Sequence, residues 1–267
     1  MIIDFHTHIF PDKIAQKTID YLSGVGGIQA FSDGRASELV KRLEDANVDI
    51  GVTLPVITNP SQFDSINNFA AQINQEYADK KTRLISFAGI HPKCEDIDAK
   101  MSFIAKSGFL GVKIHPDYQG TFINDEGYVK ILECAREYDL VVVSHTGVDV
   151  AYDVVHAPPQ LTLELIRKVP HSKLVLAHMG ANEMYDEVLD LLCGEDVYLD
   201  TAYVLRFIGE DMFKKMLQKH GADRILFASD SPWSDISGDV EILKSFDLDI
   251  QTKEKIFYEN AKKLLKM

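Results

Sequence analysis

Short apolar runs alternate with longer segments of helical periodicity along the whole chain. Runs such as LVVVS and KLVLA are short and apolar, with several β-branched residues, which is typical of strands buried on both faces. Between them, apolar positions recur at helical spacing, as in residues 61–80. The pattern predicts strands at residues 1–5, 49–54, 84–88, 109–114, 140–144, 173–177, 197–200 and 224–228, and helices at residues 12–22, 36–47, 61–80, 96–107, 125–138, 160–169, 181–192, 207–219, 239–245 and 252–266.

Eight strands, each followed by a helix, indicate a parallel sheet. Eight such units in 267 residues predict a closed (β/α)8 barrel, the TIM-barrel fold, in a single domain spanning residues 1–267. An open, doubly wound sheet is the alternative, but no Gly-x-Gly-x-x-Gly sequence follows the first strand, which argues against a dinucleotide-binding version. The glycine-rich residues 23–32 are predicted to form a loop that could cover a site at the end of the first strand.

The first strand leads into two histidines, His6 and His8. Side chains alternate between the two faces of a strand, so Asp4, His6 and His8 are expected to point the same way. Neutral imidazole is a common ligand of divalent metals. The pair is therefore a candidate metal site, with two exposed polar residues at a strand end as the alternative.

Residues that can also bind a metal follow three later strands. His145 follows the fifth strand, His178 the sixth and Asp230 the eighth. In a (β/α)8 barrel the carboxyl ends of the strands meet on one face, which carries the catalytic groups. The sequence therefore predicts a metal centre on this face, built from residues that are far apart along the chain.

A lysine, Lys113, lies on the predicted fourth strand, with Val112 and Ile114 on the opposite face. If these apolar neighbours pack under helices, Lys113 points towards the barrel axis. A buried, unpaired ammonium is strongly destabilising or loses its proton. Three roles stay open for this lysine: an ion pair with Asp4 or Asp230, a neutral catalytic amine, or a carbamylated metal ligand.

Composition narrows the class of protein. The net charge of -13 argues against non-specific binding of nucleic acid, which needs a basic surface. No stretch approaches the roughly 18 consecutive apolar residues of a membrane span, and the N-terminus lacks the basic and apolar regions of a signal peptide. The cysteines, Cys94, Cys134 and Cys193, lack metal-type spacing and are expected to be reduced thiols in a cytoplasmic protein.

Five motifs, taken together, resemble a known family. They are DFHTH at the first strand, GVKIHP at the fourth, VVSHTG at the fifth, LAHMG at the sixth and FASDSPW at the eighth, and the closing IFYENAKKLL also matches. The set resembles the second large branch of the amidohydrolase superfamily, which mixes hydrolases with metal-dependent decarboxylases similar to aminocarboxymuconate-semialdehyde decarboxylase. The resemblance covers the whole chain. It implies one or two divalent metal ions, zinc above all, and a small-molecule substrate.

The resemblance implies two alternative arrangements of the metal. In both, the two histidines of the first strand and Asp230 bind one ion. In the two-metal arrangement, His145 and His178 bind a second ion, and a carboxylated Lys113 bridges the pair. In the one-metal arrangement of the decarboxylases, His145 completes the first site, His178 stays free as an acid or base, and Lys113 is not a ligand.

Hydrolysis is the function that this resemblance puts first. A divalent metal makes hydroxide available from bound water at neutral pH, and it polarises a carbonyl group. Asp230 is expected to act as the base and His178 to carry the proton to the leaving group of an amide, lactone or related ester. The alternative is a non-oxidative decarboxylase of a small carboxylic acid. A metal-binding barrel without catalysis is a third hypothesis, although a pure binding protein has no need of a base such as Asp230.

Four further residues are candidates for contact with the substrate. His91 and His115 each precede a proline after the third and fourth strands and could reach the barrel mouth, with a turn-stabilising role as the equal alternative. Arg206 could bind a carboxylate through its planar guanidinium, unless it is simply exposed. Trp233 follows Asp230 closely and is expected to line the pocket. Arginines around the pocket would favour decarboxylation, and only Arg206 follows a strand end; a homodimer is expected by resemblance.

Overall fold

The computed structural model describes residues 1–267 as parallel strands that alternate with helices. Nearly all strand residues are buried, as the apolar runs of the sequence require. The strands are β1 (Ile3–Thr7), β2 (Ile50–Thr53), β3 (Arg83–Ser86), β4 (Ala88–Gly89), β5 (Gly111–Ile114), β6 (Val141–Ser144), β7 (Leu174–Leu176), β8 (Tyr198–Asp200) and β9 (Ile225–Leu226).

The strands form two sheets, with the order β1-β2-β3 in one and β4-β5-β6-β7-β8-β9 in the other. All neighbouring strands are parallel. Only Phe87 separates β3 from β4, and its backbone N–H donates to the carbonyl of Thr53 at 3.0 Å. β3 and β4 are therefore one interrupted strand, which corresponds to the predicted strand at residues 84–88.

Backbone hydrogen bonds connect the first strand to the last. The N–H of Phe5 donates to the carbonyl of Phe227 at 2.9 Å, and the N–H of Asp230 donates to the carbonyl of His6 at 2.8 Å. These bonds bring the outer strands of the two sheets side by side, so that eight strand positions follow the arrangement of a (β/α)8 barrel whose sheet is formed in two pieces. The predicted fold class is confirmed.

The helices lie between the strands, and most of them match the predicted segments to within a few residues. None of them has the length and apolar character that crossing a membrane would demand. The helices are α1 (Ala15–Gly26), α2 (Ala36–Asp45), α3 (Phe63–Glu76), α4 (Ile97–Lys106), α5 (Glu126–Glu137), α6 (Pro159–Lys168), α7 (Tyr185–Leu191), α8 (Leu205–Ile208), α9 (Glu210–His220), α10 (Ile236–Ser245), α11 (Ile250–Glu254) and α12 (Asn260–Leu264).

Several predicted helix boundaries are wrong, and two of them have an identifiable cause. The helix α1 runs into the predicted loop at residues 23–32 and ends only before Gly27, whose φ of 62° is the left-handed conformation that glycine adopts without strain. The helix α3 begins at Phe63, because Asn59 caps a preceding 3-10 turn by accepting from the N–H of Ser61. Clustered glycines are therefore a weak signal for the end of a helix.

Alternate residues of the strands face two different hydrophobic clusters. Val141 and Val143 belong to a cluster of 17 buried residues, whereas Val142, between them, belongs to a cluster of 54 that includes the apolar faces of the helices. The smaller cluster therefore lies inside the barrel. On β5, Val112 packs in the outer cluster, which leaves Lys113 on the inner face and almost fully buried.

The substitution Gly111→Ala should destabilise the protein, because a Cβ there would lie 2.5 Å from both the Phe87 ring and the carbonyl oxygen of Val141. We expect the free energy of unfolding to fall by about 1–3 kcal/mol, the usual cost of overpacking. Urea denaturation followed by circular dichroism measures the change. The matched control is Gly24→Ala in α1, where no atom lies within 4 Å of the added Cβ. Alanine there should raise the free energy of unfolding by about 0.5–1 kcal/mol. Equal stability of the two variants would contradict the packing around β5.

Candidate metal centre

Three predicted ligands meet at the carboxyl ends of β1 and β9. His6 Nε2 lies 3.2 Å from His8 Nε2, and Asp230 Oδ1 lies 3.4 Å from the first and 3.1 Å from the second. Bonds of about 2.0–2.2 Å to one zinc-sized ion place tetrahedral ligands roughly 3.3–3.6 Å apart. The three atoms therefore fit a single divalent metal with only small movements of the side chains.

Hydrogen bonds fix the orientation of both imidazoles. His6 Nδ1–H donates to Asp200 Oδ2 at 2.9 Å, and His8 Nδ1–H donates to the carbonyl of Leu54 at 2.8 Å. Because a carboxylate and a carbonyl can only accept, the ring protons lie on Nδ1 and the Nε2 lone pairs face Asp230. Burial also holds the pKa of His6 well below its ordinary value, so the ring stays neutral, as metal binding requires.

Asp230 is held as a buried carboxylate. The backbone of Asp230 has a φ of 69°, a left-handed conformation that is strained for any residue other than glycine. The hydrogen bond from its N–H to the carbonyl of His6 holds this conformation and aims the side chain at the two histidines.

Lys113, on β5, reaches the same cluster. Its Nζ lies 3.1 Å from His6 Nε2, and the residue is 1% exposed. No carboxylate pairs with it, and Asp4, one of the predicted partners, accepts hydrogen bonds from Ser229 instead. Burial lowers the pKa of Lys113 to about 8, so part of the amine is neutral near neutral pH and able to act as a nucleophile. The ion-pair role is therefore not supported, while the amine and carbamate roles stay open.

His145 and His178 complete the cluster. His145 Nδ1 lies 2.9 Å from His178 Nε2, and His178 Nδ1–H donates to the carbonyl of Ala202 at 2.9 Å. The ring centroids of His6 and His178 are 5.6 Å apart. The fold thus brings all six predicted ligands together, while the number of metal ions that they hold stays open.

The cluster lines a cavity of about 720 Å³. Of the 33 residues in the cavity wall, 17 are hydrophobic and none is an arginine. His115 and Trp233, two of the predicted substrate contacts, lie in this wall. A cavity of this size accepts a small organic molecule and offers it mainly apolar contacts beside a few polar groups.

The other two predicted substrate contacts lie outside the cavity wall. Arg206 donates to the carbonyl of Trp233 at 2.7 Å and stacks over the ring of Tyr203. His91 is buried after β4, where its Nδ1 accepts from the N–H of Lys93 at 3.0 Å. Both residues stabilise local structure in this arrangement, and their contact with a substrate stays a prediction.

Three carboxylates of the site are missed by sequence reasoning. Asp200 orients the first histidine of the centre, Asp149 Oδ2 lies 3.5 Å from His115 Nε2, and Asp117 Oδ2 lies 3.6 Å from His145 Nε2. The rule that strand ends carry the chemistry would have found Asp200, which ends β8. Asp117 and Asp149 lie in loops, whose course the sequence does not reveal.

A second group of metal-ligand residues lies beside the first. His115, His145 and Asp149 place three ligand-type atoms within 4.8 Å of one another. The rings of His115 and His145 are stacked, with centroids 4.1 Å apart and planes at 6°. Imidazole lone pairs lie in the plane of the ring, so those of two parallel rings do not converge on one ion. His115 and Asp149 therefore fit a polar pair in the cavity wall better than a metal site.

The family model for amidohydrolases matches residues 3–267, a span that includes every residue of the cluster. The chain belongs to the amidohydrolase family. Its place in the second branch of the superfamily, which the motifs indicate, is confirmed. No protein of curated function matches the sequence.

Solved structures with the same fold include two kinds of decarboxylase. A 2,6-dihydroxybenzoate decarboxylase from Rhizobium is 15% identical, with a TM-score of 0.71 over 99% of this chain and 98% of that chain. A 5-carboxyvanillate decarboxylase from Novosphingobium aromaticivorans, complexed with manganese, is 16% identical, with a TM-score of 0.71 over 100% of this chain and 96% of that chain. An uncharacterised TIM-barrel protein from Bordetella bronchiseptica is 16% identical, with a TM-score of 0.79 over 99% of this chain and 98% of that chain. The match to the family and the three ligand-type atoms of His6, His8 and Asp230 support a divalent metal.

The substitution Lys113→Met should stabilise the metal-free protein, because it removes a buried amine whose pKa burial lowers to about 8. We expect the free energy of unfolding at pH 7 to rise by about 1–3 kcal/mol, measured by urea denaturation with a chelator present. The difference in stability between Lys113→Met and the wild type should shrink as the pH rises from about 8 towards 10.5. Over this range the Lys113 amine loses its proton in the folded wild type but keeps it in the unfolded chain.

The matched control is the exposed Lys80→Met, which should leave the stability close to that of the wild type. Metal analysis of the loaded Lys113→Met protein then separates the two arrangements. Loss of one of two ions would support a bridging Lys113, and an unchanged single ion would exclude it. If metal-free Lys113→Met were less stable than the metal-free wild type, the buried amine would not be destabilising and this account of Lys113 would be wrong.

Proposed function

We propose that the protein is a metal-dependent, non-oxidative decarboxylase of a small carboxylic acid. The observation that carries this proposal is a set of metal-ligand atoms that opens into a half-hydrophobic cavity without an arginine in its wall. Two enzymes of the same fold, a 2,6-dihydroxybenzoate decarboxylase and a 5-carboxyvanillate decarboxylase, support the same choice. Decarboxylation therefore takes precedence over hydrolysis, the function that the sequence alone puts first.

The character of the cavity favours the loss of a carboxylate. The apolar wall suits an uncharged ring product and neutral carbon dioxide, because neither needs the hydration that a charged group does. Lys113 is the only lysine or arginine in the wall, so the carboxylate should bind at the metal centre. An arginine is the usual bidentate partner of a carboxylate, and with the metal centre in that role the substrate needs none. The scarcity of arginine, which in the sequence counts against decarboxylation, therefore does not weigh against it.

The apolar part of the wall suits a flat substrate. Tyr118, Tyr152 and Trp233 all line the cavity, and aromatic side chains bind planar rings by offset stacking or edge contacts. Tyr118 also stacks on His115, with ring centroids 4.2 Å apart. A small aromatic acid, with its carboxylate at the metal centre and its ring against these side chains, is the substrate class that we propose.

Asp230 and His178 are the residues proposed to move the proton. Decarboxylation breaks the bond between the ring carbon and the carboxylate, the electron pair stays on the ring carbon, and this carbon then needs one proton. A bound divalent metal supplies Lewis acidity that draws electron density from the substrate. His178 presents the lone pair of Nε2 to the centre because its Nδ1–H is donated to Ala202. We propose that Nε2 takes up one proton from solvent and passes it to the ring carbon, with Asp230 beside it as the second acid–base group.

Hydrolysis of an amide, lactone or related ester is the second candidate, and one observation favours it. Lys113 Nζ lies 3.1 Å from His6 Nε2, close enough for a carbamate on Lys113 to reach a metal held by the histidines. A bridged pair of metals is the arrangement that the resemblance associates with hydrolases. The metal count of the wild type and of Lys113→Met therefore bears on both candidates.

Protein loaded with manganese or zinc should release carbon dioxide from a panel of small hydroxy-substituted aromatic acids. The activity should disappear with a chelator and return with the metal. The substitution Asp230→Asn should lower kcat by about 10²–10⁴-fold, the usual range for loss of an acid–base group, while the far-UV circular dichroism stays that of the wild type. Release of carbon dioxide is followed by a coupled assay or by membrane-inlet mass spectrometry.

The matched control is the exposed carboxylate Asp211→Asn, which should keep the activity of the wild type. Turnover of amide or lactone substrates by the metal-loaded protein, without release of carbon dioxide from any acid of the panel, would overturn decarboxylation in favour of hydrolysis. Full activity of Asp230→Asn would overturn the proposed site.

A further inference from the structure

Two buried polar atoms face each other beside the metal centre, and neither has a hydrogen-bond partner. They are Asp117 Oδ2 and His145 Nε2, which lie 3.6 Å apart. The Asp117 side chain is completely buried. Buried polar atoms are almost always paired, because an unpaired one loses the hydrogen bonds that water would provide. An unpaired aspartate and histidine at this position therefore indicate a role in the metal centre.

Whether Asp117 Oδ2 and His145 Nε2 can form a hydrogen bond depends on which ring nitrogen of His145 carries the proton. His145 Nδ1 lies 2.9 Å from His178 Nε2, and His178 donates its own ring proton to the carbonyl of Ala202, so His178 Nε2 carries a lone pair. With the proton of His145 on Nδ1, this proton is donated to His178, and a lone pair on Nε2 faces the Asp117 carboxylate. With the proton on Nε2, the N–H points to Asp117 Oδ2, and the lone pairs of the two histidines face each other, an arrangement that a bound cation would stabilise.

We propose that Asp117 is a positioning residue that holds the proton of His145 on Nε2 and thereby turns the Nδ1 lone pair towards the metal. The inference rests on the proposed metal-dependent function, and it holds whether His145 serves the first ion or a second one. The arrangement parallels the other side of the centre, where Asp200 holds the ring proton of His6. In both places a buried carboxylate selects the tautomer that binds metal.

The second oxygen of Asp117 fixes the carboxylate itself. Asp117 Oδ1 accepts from the backbone N–H of His156 at 2.9 Å and from His156 Nδ1–H at 3.0 Å. Just before His156 along the chain, Val148 to Tyr152 contribute to the cavity wall. Asp117 therefore ties this wall segment to the metal ligand, and its carboxylate cannot rotate away from His145 without losing both bonds to His156.

The substitution Asp117→Asn tests the proposal, because an amide has the shape of the carboxylate but only one accepting oxygen. The oxygen should stay with the two donors of His156, so the NH₂ group faces His145 Nε2 and forces the ring proton onto Nδ1. We expect the metal affinity to fall about 10–100-fold, as is usual for loss of such a partner. Competition with a fluorescent chelator for zinc measures the affinity, and the exposed Asp211→Asn, the same change away from the centre, should leave it unchanged.

The tautomer of His145 can also be read directly in the wild type. In zinc-loaded, ¹⁵N-labelled protein, long-range ¹H–¹⁵N correlations should place the proton of His145 on Nε2, a result that does not depend on how any variant folds. A proton on Nδ1 in the zinc-loaded protein, or an unchanged zinc affinity of Asp117→Asn, would overturn the role of Asp117. A wild type that binds no divalent metal would instead overturn the proposed function, and the inference with it.

Discussion

One buried carboxylate holds the proposed metal centre together. Asp200, at the end of β8, accepts from His6 Nδ1–H through one oxygen at 2.9 Å. Through the other oxygen it accepts from the backbone N–H groups of His178 at 2.9 Å and of Ala202 at 3.1 Å. It therefore joins the end of β1 to the segment after β7, and it sets the tautomer of His6. The distances from His6 Nε2 to the other predicted ligands depend on this bond.

Two residues of the same region have a strained backbone, and hydrogen bonds compensate for the strain. His178 and Asp230 have φ values of 60° and 69°, in a region that residues other than glycine adopt at a cost in free energy. The N–H of His178 donates to Asp200, and the N–H of Asp230 donates to the carbonyl of His6. Each strained residue is thus held by a bond to a member of the centre. This coupling is expected of a site whose side chains must point inward before a metal arrives.

The local part of the site could be predicted from the sequence, and the part that depends on barrel closure could not. Alternation along a strand correctly predicts that Val112 packs outward and that Lys113 is buried. The bond between His6 and Asp200 joins residues 194 positions apart, and no local pattern indicates it. The prediction that Arg206 meets a substrate assumes a free guanidinium, whereas in the structure this group donates to the carbonyl of Trp233. Asp200 ends β8 and Arg206 lies in α8, whereas Asp117 and Asp149 lie in loops; what the side chains that sequence reasoning misplaced or missed share is that their partners depend on tertiary contacts.

Anomalous diffraction from a crystal of the metal-loaded protein tests the central claim most directly. At the absorption edge of the added manganese or zinc, we expect a peak about 2.0–2.2 Å from His6 Nε2, His8 Nε2 and Asp230 Oδ1. A peak at this position would show that the three atoms bind one ion as their separations indicate. Peaks confined to surface carboxylates, with none between these three atoms, would contradict the metal centre and the function built on it.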